Sequence, residues 1–377
     1  MAGPFARTAT RSAIFTCRLW FKEVAGSLWG WQPLGQALVA SLAAIIVLLL
    51  SLLPGAAQTA ASDHRDAIPR SLVSQCFAPS ALTGRPEEKA PRRGATGQAP
   101  AIPTLRLQSF APIGVALRGS IRRVVLPADK KLVALTFDLC EQPGEIAGYD
   151  GAIVDYLRAQ DVRATFFAGG KWLLTHGERA EQLVADARFE VGSHGWAHRN
   201  VRGLAGMALS SEVKGPQAAY ETVRARLAAR QCVAEVPGAI QRVAPRIKLY
   251  RFPYGACNAA ALAATADEGL LAVQWDISTG DPWPGQSATA IAAAVLRQVR
   301  PGSIVLMHAN GRGYNTAAAL TILIPKLKAM GYRLVTVSEL LVAGRPEIVQ
   351  TCYDARPGDT DRYDRPFALR TETHRGR

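Results

Sequence analysis

From Lys131 to about Ala343, short apolar runs alternate with helical stretches. The pattern places strands near Val133–Phe137, Arg163–Phe167, Phe189–Gly192, Leu249–Arg251, Leu271–Trp275, Ser303–Met307 and Arg333–Thr336. Between them it places helices near Gly151–Arg158, Arg179–Ala187, Ser210–Arg230, Asn258–Asp267, Ser287–Gln298 and Asn315–Met330. Strands separated by helices of this length pair in parallel through crossover connections. Seven strands in such a series leave two architectures, a barrel or an open doubly wound sheet.

The polar residues favour the barrel. Asp138 follows the first strand, His194 and His198 the third, Arg251 and Tyr254 stand at the fourth, Asp276 and Asp281 follow the fifth, and His308 ends the sixth. Reactive side chains at the C-terminal ends of many strands converge on one face of a barrel. An open sheet would draw on two neighbouring loops at a switch point.

The residue types suggest what such a face could do. His194 and His198, four apart directly after a strand, can share one cation; two packed or solvated histidines are the alternative. Asp138, in Thr136-Phe137-Asp138, is either a turn acid or a general base for metal-activated water. His308 can protonate a leaving amine or be satisfied in the core by a backbone carbonyl. Arg251-Phe-Pro-Tyr254-Gly255 is a strand end with a forced turn, which can aim a backbone N–H at an oxyanion. Arg251 can hold Asp138 ionised or form a purely structural bridge with it. Trp196, Trp275 and Trp283 near these loops are candidates for sugar-stacking walls or for core.

Taken in order, Thr136-Phe-Asp138, Ala164-Thr-Phe-Phe167 with Gly169-Gly170, His194-x-x-x-His198, Arg251-Phe-Pro-Tyr-Gly255, Trp275-Asp276 with Asp281-Pro-Trp283, and Leu306-Met-His308 resemble the polysaccharide deacetylases with a nodulation-protein-B homology domain. The resemblance covers about Lys131 to Leu341. It implies a distorted (β/α)7 barrel and a divalent metal, zinc with cobalt or manganese as alternatives. It also implies removal of N-acetyl groups from chitin-like or peptidoglycan-like glycans. By position it makes Asp138 the base, His194 and His198 metal ligands, Tyr254 the oxyanion residue and His308 the acid, with Arg251 and Asp281 or Asp276 as supporting charges. One position departs. Where the family carries a second aspartate as third metal ligand, this chain has Leu139, in Asp138-Leu-Cys-Glu141. Leucine cannot bind a metal. The expected replacement is Glu141, which keeps a hard oxygen donor; Cys140 as thiolate and Asp138 itself are the alternatives. Leu139 also motivates a second reading, a glycan-binding envelope protein on the same barrel without catalysis. A third is hydrolysis of a non-sugar amide.

The barrel domain is thus expected over 131–343, after a lead-in segment 105–130. Residues 1–57 form a basic N-terminal region with an uncharged apolar run, 37–53, that reads as an export signal or an uncleaved membrane anchor. Either places the barrel outside the cytoplasm. Residues 58–104, rich in Pro, Gly and charge, read as a linker in which only Ser71–Phe77 looks able to pack. Residues 344–377 read as a mostly disordered tail. The formal charge of +14 is scattered and accompanied by no nucleic-acid-binding motif, so an anionic envelope surface or glycan suits it better. No CxxC pair occurs among the six cysteines. Pairing of Cys76 with Cys352 and of Cys232 with Cys257, leaving Cys140 single, is one arrangement, and free buried cysteines are the other.

Overall fold

The computed structural model describes residues 71–94, 100–104 and 110–364. The apolar run 37–53 lies outside them, and no helix among the described residues is long and apolar enough to cross a membrane. In chain order the strands are β1 (Arg92–Arg93), β2 (Ser120–Val125), β3 (Leu132–Leu139), β4 (Glu145–Ile146), β5 (Ala164–Ala168), β6 (Phe189–Ser193), β7 (Leu249–Tyr250), β8 (Leu271–Val273), β9 (Ile277–Ser278), β10 (Ile304–His308), β11 (Arg333–Leu334) and β12 (Arg345–Val349). The main sheet runs β12-β2-β8-β7-β6-β5-β3-β10-β9, with β11 paired to β3, and β1 and β4 form a separate antiparallel ribbon. All pairs of the main sheet are parallel except β12 with β2. The curl is joined by isolated backbone bonds, Asp276 N–H to Ile304 O at 3.2 Å and Val124 N–H to Gly302 O at 2.9 Å. The result is the expected distorted, incompletely closed (β/α)7 barrel.

Strand parity divides the core. Successive side chains of a strand point to opposite faces. In β3, Val133, Leu135, Phe137 and Leu139 pack outward into a cluster shared with the helices, while Leu132 and Ala134 join a second cluster within the barrel. β10 divides the same way, Val305 and Met307 outward, Ile304 and Leu306 inward. Every residue of β3 is buried, which explains its unbroken apolar run, since parallel strands are covered on both faces. On the inward rows the last members are polar: Asp138 at the end of β3 and His308 at the end of β10, paired in register. Helices 151–159, 259–267, 288–298 and 316–329 supply outer faces, and Asn258 and Ser287 cap two of them by accepting the N–H of Ala261 and Ala290.

Several expectations are corrected. More of the proposed linker is folded than Ser71–Phe77, the stretch expected to pack: Leu72, Val73 and Phe77 of that stretch do pack, with Leu227, Val233 and Val243, and beyond it lie helix Pro79–Leu82 and a 3-10 turn at Pro86–Glu88. The proposed tail is ordered to Asp364: β12 pairs with β2, and a 3-10 turn spans Asp361–Tyr363. The disulfides are Cys76–Cys232 and Cys257–Cys352, not the pairing expected, and Cys140 is free and buried. Helix Gly170–Thr175 and strand β9 have no counterpart in the sequence reading.

Candidate active site

The C-terminal ends of β3, β6, β7 and β10 open into one cleft of about 510 Å³, which Asp138, Cys140, His194, His198, Tyr254 and His308 line together. Cys140 follows Asp138 by two residues, so it continues the inward row that Leu139 and Glu141 cannot join. Its carbonyl is fixed by the Asn310 side-chain amide at 2.9 Å. Donor atoms of Cys140, His194 and His198 lie within 4.8 Å of one another, all buried.

These three residues fit a cation. His194 Nδ1 lies 3.0 Å from the Arg251 carbonyl. That contact makes Nδ1 the N–H donor and leaves the Nε2 lone pair facing the cleft, as the second shell of a metal-binding histidine does. His194 Nε2 and His198 Nδ1 are buried without a hydrogen-bond partner. Such orphaned nitrogens are costly unless something else satisfies them. Burial depresses both imidazoles below the ordinary histidine value, His198 strongly, so each is neutral and able to ligate. Burial, reinforced by Asp138, pushes the Cys140 thiol well up; a bound cation would be what ionises it.

Glu141 is elsewhere, and the expectation that it completes the cluster is corrected. Its side chain lies on the outward face. There Oε2 accepts from the Ala147 N–H at 3.0 Å and from Thr175 Oγ1 at 2.8 Å, and Oε1 is 3.4 Å from Lys171 Nζ. The Lys171 ammonium donates to the carbonyls of Gln142 and Glu145. This buried group holds the 141–147 loop behind the cleft.

Asp138 sits between Arg251 and His194. Oδ1 accepts from Arg251 Nη1 at 2.8 Å, and Oδ2 is 3.4 Å from His194 Nε2. Burial alone would raise its pKa, but His194, Arg251 and His308 outweigh that and hold the carboxyl below the usual range. Every nitrogen of the fully buried Arg251 is bonded: Nη1 also reaches Thr136 Oγ1 at 2.8 Å, Nη2 the Gln274 carbonyl at 3.1 Å and Nε the Val273 carbonyl at 3.3 Å. A buried guanidinium with every arm bonded is tolerable where a free one is not.

On the other side, His308 Nδ1 bonds Asp281 Oδ1 at 2.9 Å. Asp281 Oδ2 accepts the His308 backbone N–H at 2.7 Å and Thr316 Oγ1 at 2.6 Å. Burial would depress the His308 imidazolium, but Asp281 and then Asp138 overcome it, and its pKa is raised. Asp276, the other candidate for this role, is not in the cleft: it accepts from the Ile304 N–H at 2.8 Å and Ser303 Oγ at 2.9 Å and holds the start of β10.

The turn after β7 behaves as its residues require. Tyr254 has φ 60° and Gly255 φ 62°. A Cβ on Gly255 would come within 3.0 Å of the Trp275 ring. The Tyr254 ring meets His198 edge-on at 4.4 Å. Of the three tryptophans, Trp283 is 64% exposed at the cleft and Trp275 is buried in its wall. Trp196 is not a cleft wall; its ring packs against Gly170 and Gly215.

Sequence reasoning passed over Gln142, Arg312 and Tyr363, which also line the cleft. They stand on loops where no periodicity announces direction. Cys140 had a signal, the two-residue period of β3.

A family model described as polysaccharide deacetylase matches residues 126–273. The peptidoglycan-N-acetylglucosamine deacetylase PgdA of Listeria monocytogenes is 30% identical over 227 residues, which cover 59% of this chain and 42% of that protein, so the chain spans less than half the length of this relative. A peptidoglycan-N-acetylglucosamine deacetylase of Bacillus cereus is 31% identical over 222 residues, 57% of this chain and 70% of that protein. Among solved structures, the Bc1960 peptidoglycan N-acetylglucosamine deacetylase superimposes with TM-score 0.50 over 63% of this chain and 100% of that one; at 22% identity it speaks for the fold. With a relative of 31% identity matched over most of its length, and with the cleft residues in the order the motifs lay down, the chain belongs to the polysaccharide deacetylase family.

Proposed function

We propose that this chain is an extracytoplasmic, metal-dependent hydrolase that removes N-acetyl groups from an amino-sugar polysaccharide of the peptidoglycan or chitin type. The observation that carries the reading is the cleft itself: a carboxylate pinned by a buried arginine, three convergent nitrogen and sulfur donors, and a carboxylate-bound histidine opposite. Cys140, His194 and His198 would hold the cation. A donor set of one thiolate and two imidazoles suits zinc better than magnesium or calcium. Such a cation supplies Lewis acidity, lowering the pKa of water and polarising an acetyl carbonyl.

The side chains account for the proton traffic. Asp138, kept ionised by Arg251, accepts a proton from the attacking water as its oxygen bonds the acetyl carbon. The Tyr254 N–H, offered by the left-handed turn, donates to the oxyanion that develops. His308, protonated through Asp281, gives its proton to the sugar nitrogen as the C–N bond breaks, and acetate and a free amine leave. Two disulfides support a location in an oxidising compartment.

The test is acetate release from acetylated chito-oligosaccharides and peptidoglycan fragments by the metal-loaded full chain, beside metal analysis. His194→Ala is expected to lose both bound metal and acetate release. Release at the wild-type rate from that variant would sink the metal assignment. Glycan binding without release by the wild-type chain, with zinc, cobalt and manganese each supplied, would establish the binding-protein reading that Leu139 raises.

A further inference from the structure

His194 and His198 stand on irregular backbone after β6, not on a helix, so no regular repeat sets the distance between them. Gly195 has φ 73° and His198 φ 52°. The second is a left-handed backbone at a residue that carries a Cβ, and it persists only where the surroundings over-determine it. The residues between the histidines are held from both sides. The carbonyls of Gly195 and Trp196 accept from the N–H groups of Gly170 and Lys171 at 2.9 and 3.0 Å. The N–H groups of Trp196 and Ala197 both donate to one atom, Glu212 Oε2, at 2.8 and 3.2 Å.

Glu212 reaches this loop from helix Gly206–Ala229. Its side chain is buried, and among the described residues no lysine, arginine or histidine forms an ion pair with it. A buried carboxylate is costly unless its hydrogen bonds offset the loss of water, and here those bonds go to the loop backbone. Loop and helix are shaped around the contact. A Cβ on Gly195 would come within 2.9 Å of Glu212 Oε2. About one turn further along the helix, a Cβ on Gly215 would come within 3.0 Å of the Trp196 ring. The missing side chains at 195 and 215 let the helix lie against the loop. Glu212 itself is not in the cleft lining. A loop free to sample other conformations would have to be ordered by the cation, which lowers affinity.

We propose that Glu212 is a positioning residue of the candidate metal centre: by fixing the peptide groups of Trp196 and Ala197, it sets the spacing of His194 and His198 before a cation arrives. The proposal rests on the metal-dependent reading above and deepens it. Glu212 acts through the loop backbone and takes no part in the chemistry.

The experiment measures zinc affinity of the full chain by competition with a chromophoric chelator. Beside it stand the visible spectrum of the cobalt-loaded chain and the melting curve of the metal-free chain. Glu212→Ala is expected to weaken zinc binding about 10- to 100-fold, the range for residues that orient metal ligands, and to alter the cobalt d–d bands, which report ligand geometry. Glu212→Gln keeps an acceptor oxygen for both N–H groups and should return both readouts to near wild type. Glu141→Ala, which also removes a buried carboxylate, is the control: it should melt lower and bind zinc as wild type does. A Glu212→Ala chain that melts lower yet keeps wild-type zinc affinity and cobalt spectrum overturns the proposal and leaves the metal reading standing. Glu212→Gln as weak as Glu212→Ala also overturns it, since the carboxylate would then act by charge and not as an acceptor for the loop. A wild-type chain that takes up neither zinc nor cobalt overturns the metal reading and the proposal together. Should Glu212→Ala fail to fold, Glu212→Asp, one methylene short of the loop, is read against the same criteria.

Discussion

Cys140 stands on the inward row of β3 because a strand turns every second side chain the same way, and Asp138 is already inward. Leu139 at the neighbouring position belongs to the outward apolar cluster, where a carboxylate would be costly. In the proposed metal site, a donor two residues along would therefore replace one that the next residue cannot supply. Cys140→Ser is expected to weaken metal binding more than about 100-fold, beyond the range of second-shell losses, and to remove the thiolate charge-transfer absorption of the cobalt-loaded chain. Glu141→Ala should retain its metal while losing thermal stability, because Thr175, Lys171 and the Ala147 N–H lose their acceptor. Full metal content in Cys140→Ser would return the third ligand to a carboxylate. His308 offers a second check at this scale. In the proposed mechanism its acid form is the active one, and its raised pKa carries that form toward higher pH, so activity should fall as pH rises through it. Asp281→Asn removes the charge that opposes burial, so the alkaline limb of the kcat profile should move to lower pH and kcat at neutral pH should drop. A limb that stays in place would separate His308 from proton donation.

At the scale of elements, the barrel strands and the longer helices were legible because their signal is periodic. The seven anticipated strands overlap β3, β5, β6, β7, β8, β10 and β11, and the six anticipated helices lie within a few residues of those found. β2 fell inside the lead-in segment, since Ile121–Leu126 reads as apolar but no helix follows to mark it as a barrel strand. β9 is too short to show a period. β12 pairs antiparallel on the sheet edge with its side chains half-exposed, which gives it the polar composition of a tail. Helix Gly170–Thr175 begins with the glycine pair that the family motif carries; Gly170 is required there because a Cβ would meet the Trp196 ring at 2.4 Å. In the site, Asp138, His194, Arg251 and His308 were legible because each ends a strand, and strand ends share one face. Gln142, Arg312 and Tyr363 were not, because loop direction depends on partners distant in sequence: Arg312 is set by a two-point bond to Glu145 at 2.9 and 2.6 Å, and Tyr363 by Asn200.

For the molecule as a whole, the disulfides divide two tasks that the barrel alone does not perform. Cys257–Cys352 fastens the cleft wall, whereas Cys76–Cys232 is remote from the cleft lining and ties the helix at Leu72–Cys76 to the apolar group around Val233 and Val243. The second bridge joins residues 156 apart in sequence. Closing so long a loop restricts the unfolded chain more than the folded one, and removal of a native bridge costs roughly 2–5 kcal/mol. Fastening is reinforced locally, since Arg179 reaches back from the barrel helix to Glu88 at 2.7 Å and to the carbonyls of Ala81 and Thr83. Cys76→Ser/Cys232→Ser should therefore lower Tm by about 5–15 °C, taking roughly 2–4 °C per kcal/mol for a domain of this size, while metal content and kcat/KM of the folded fraction stay at wild-type values. A melting curve for the Cys76/Cys232 double variant that coincides with wild type under non-oxidising and oxidising conditions alike would mean that the helix at Leu72–Cys76 is held by its apolar contacts and the Arg179 bonds, and that the bridge adds no stability to the barrel.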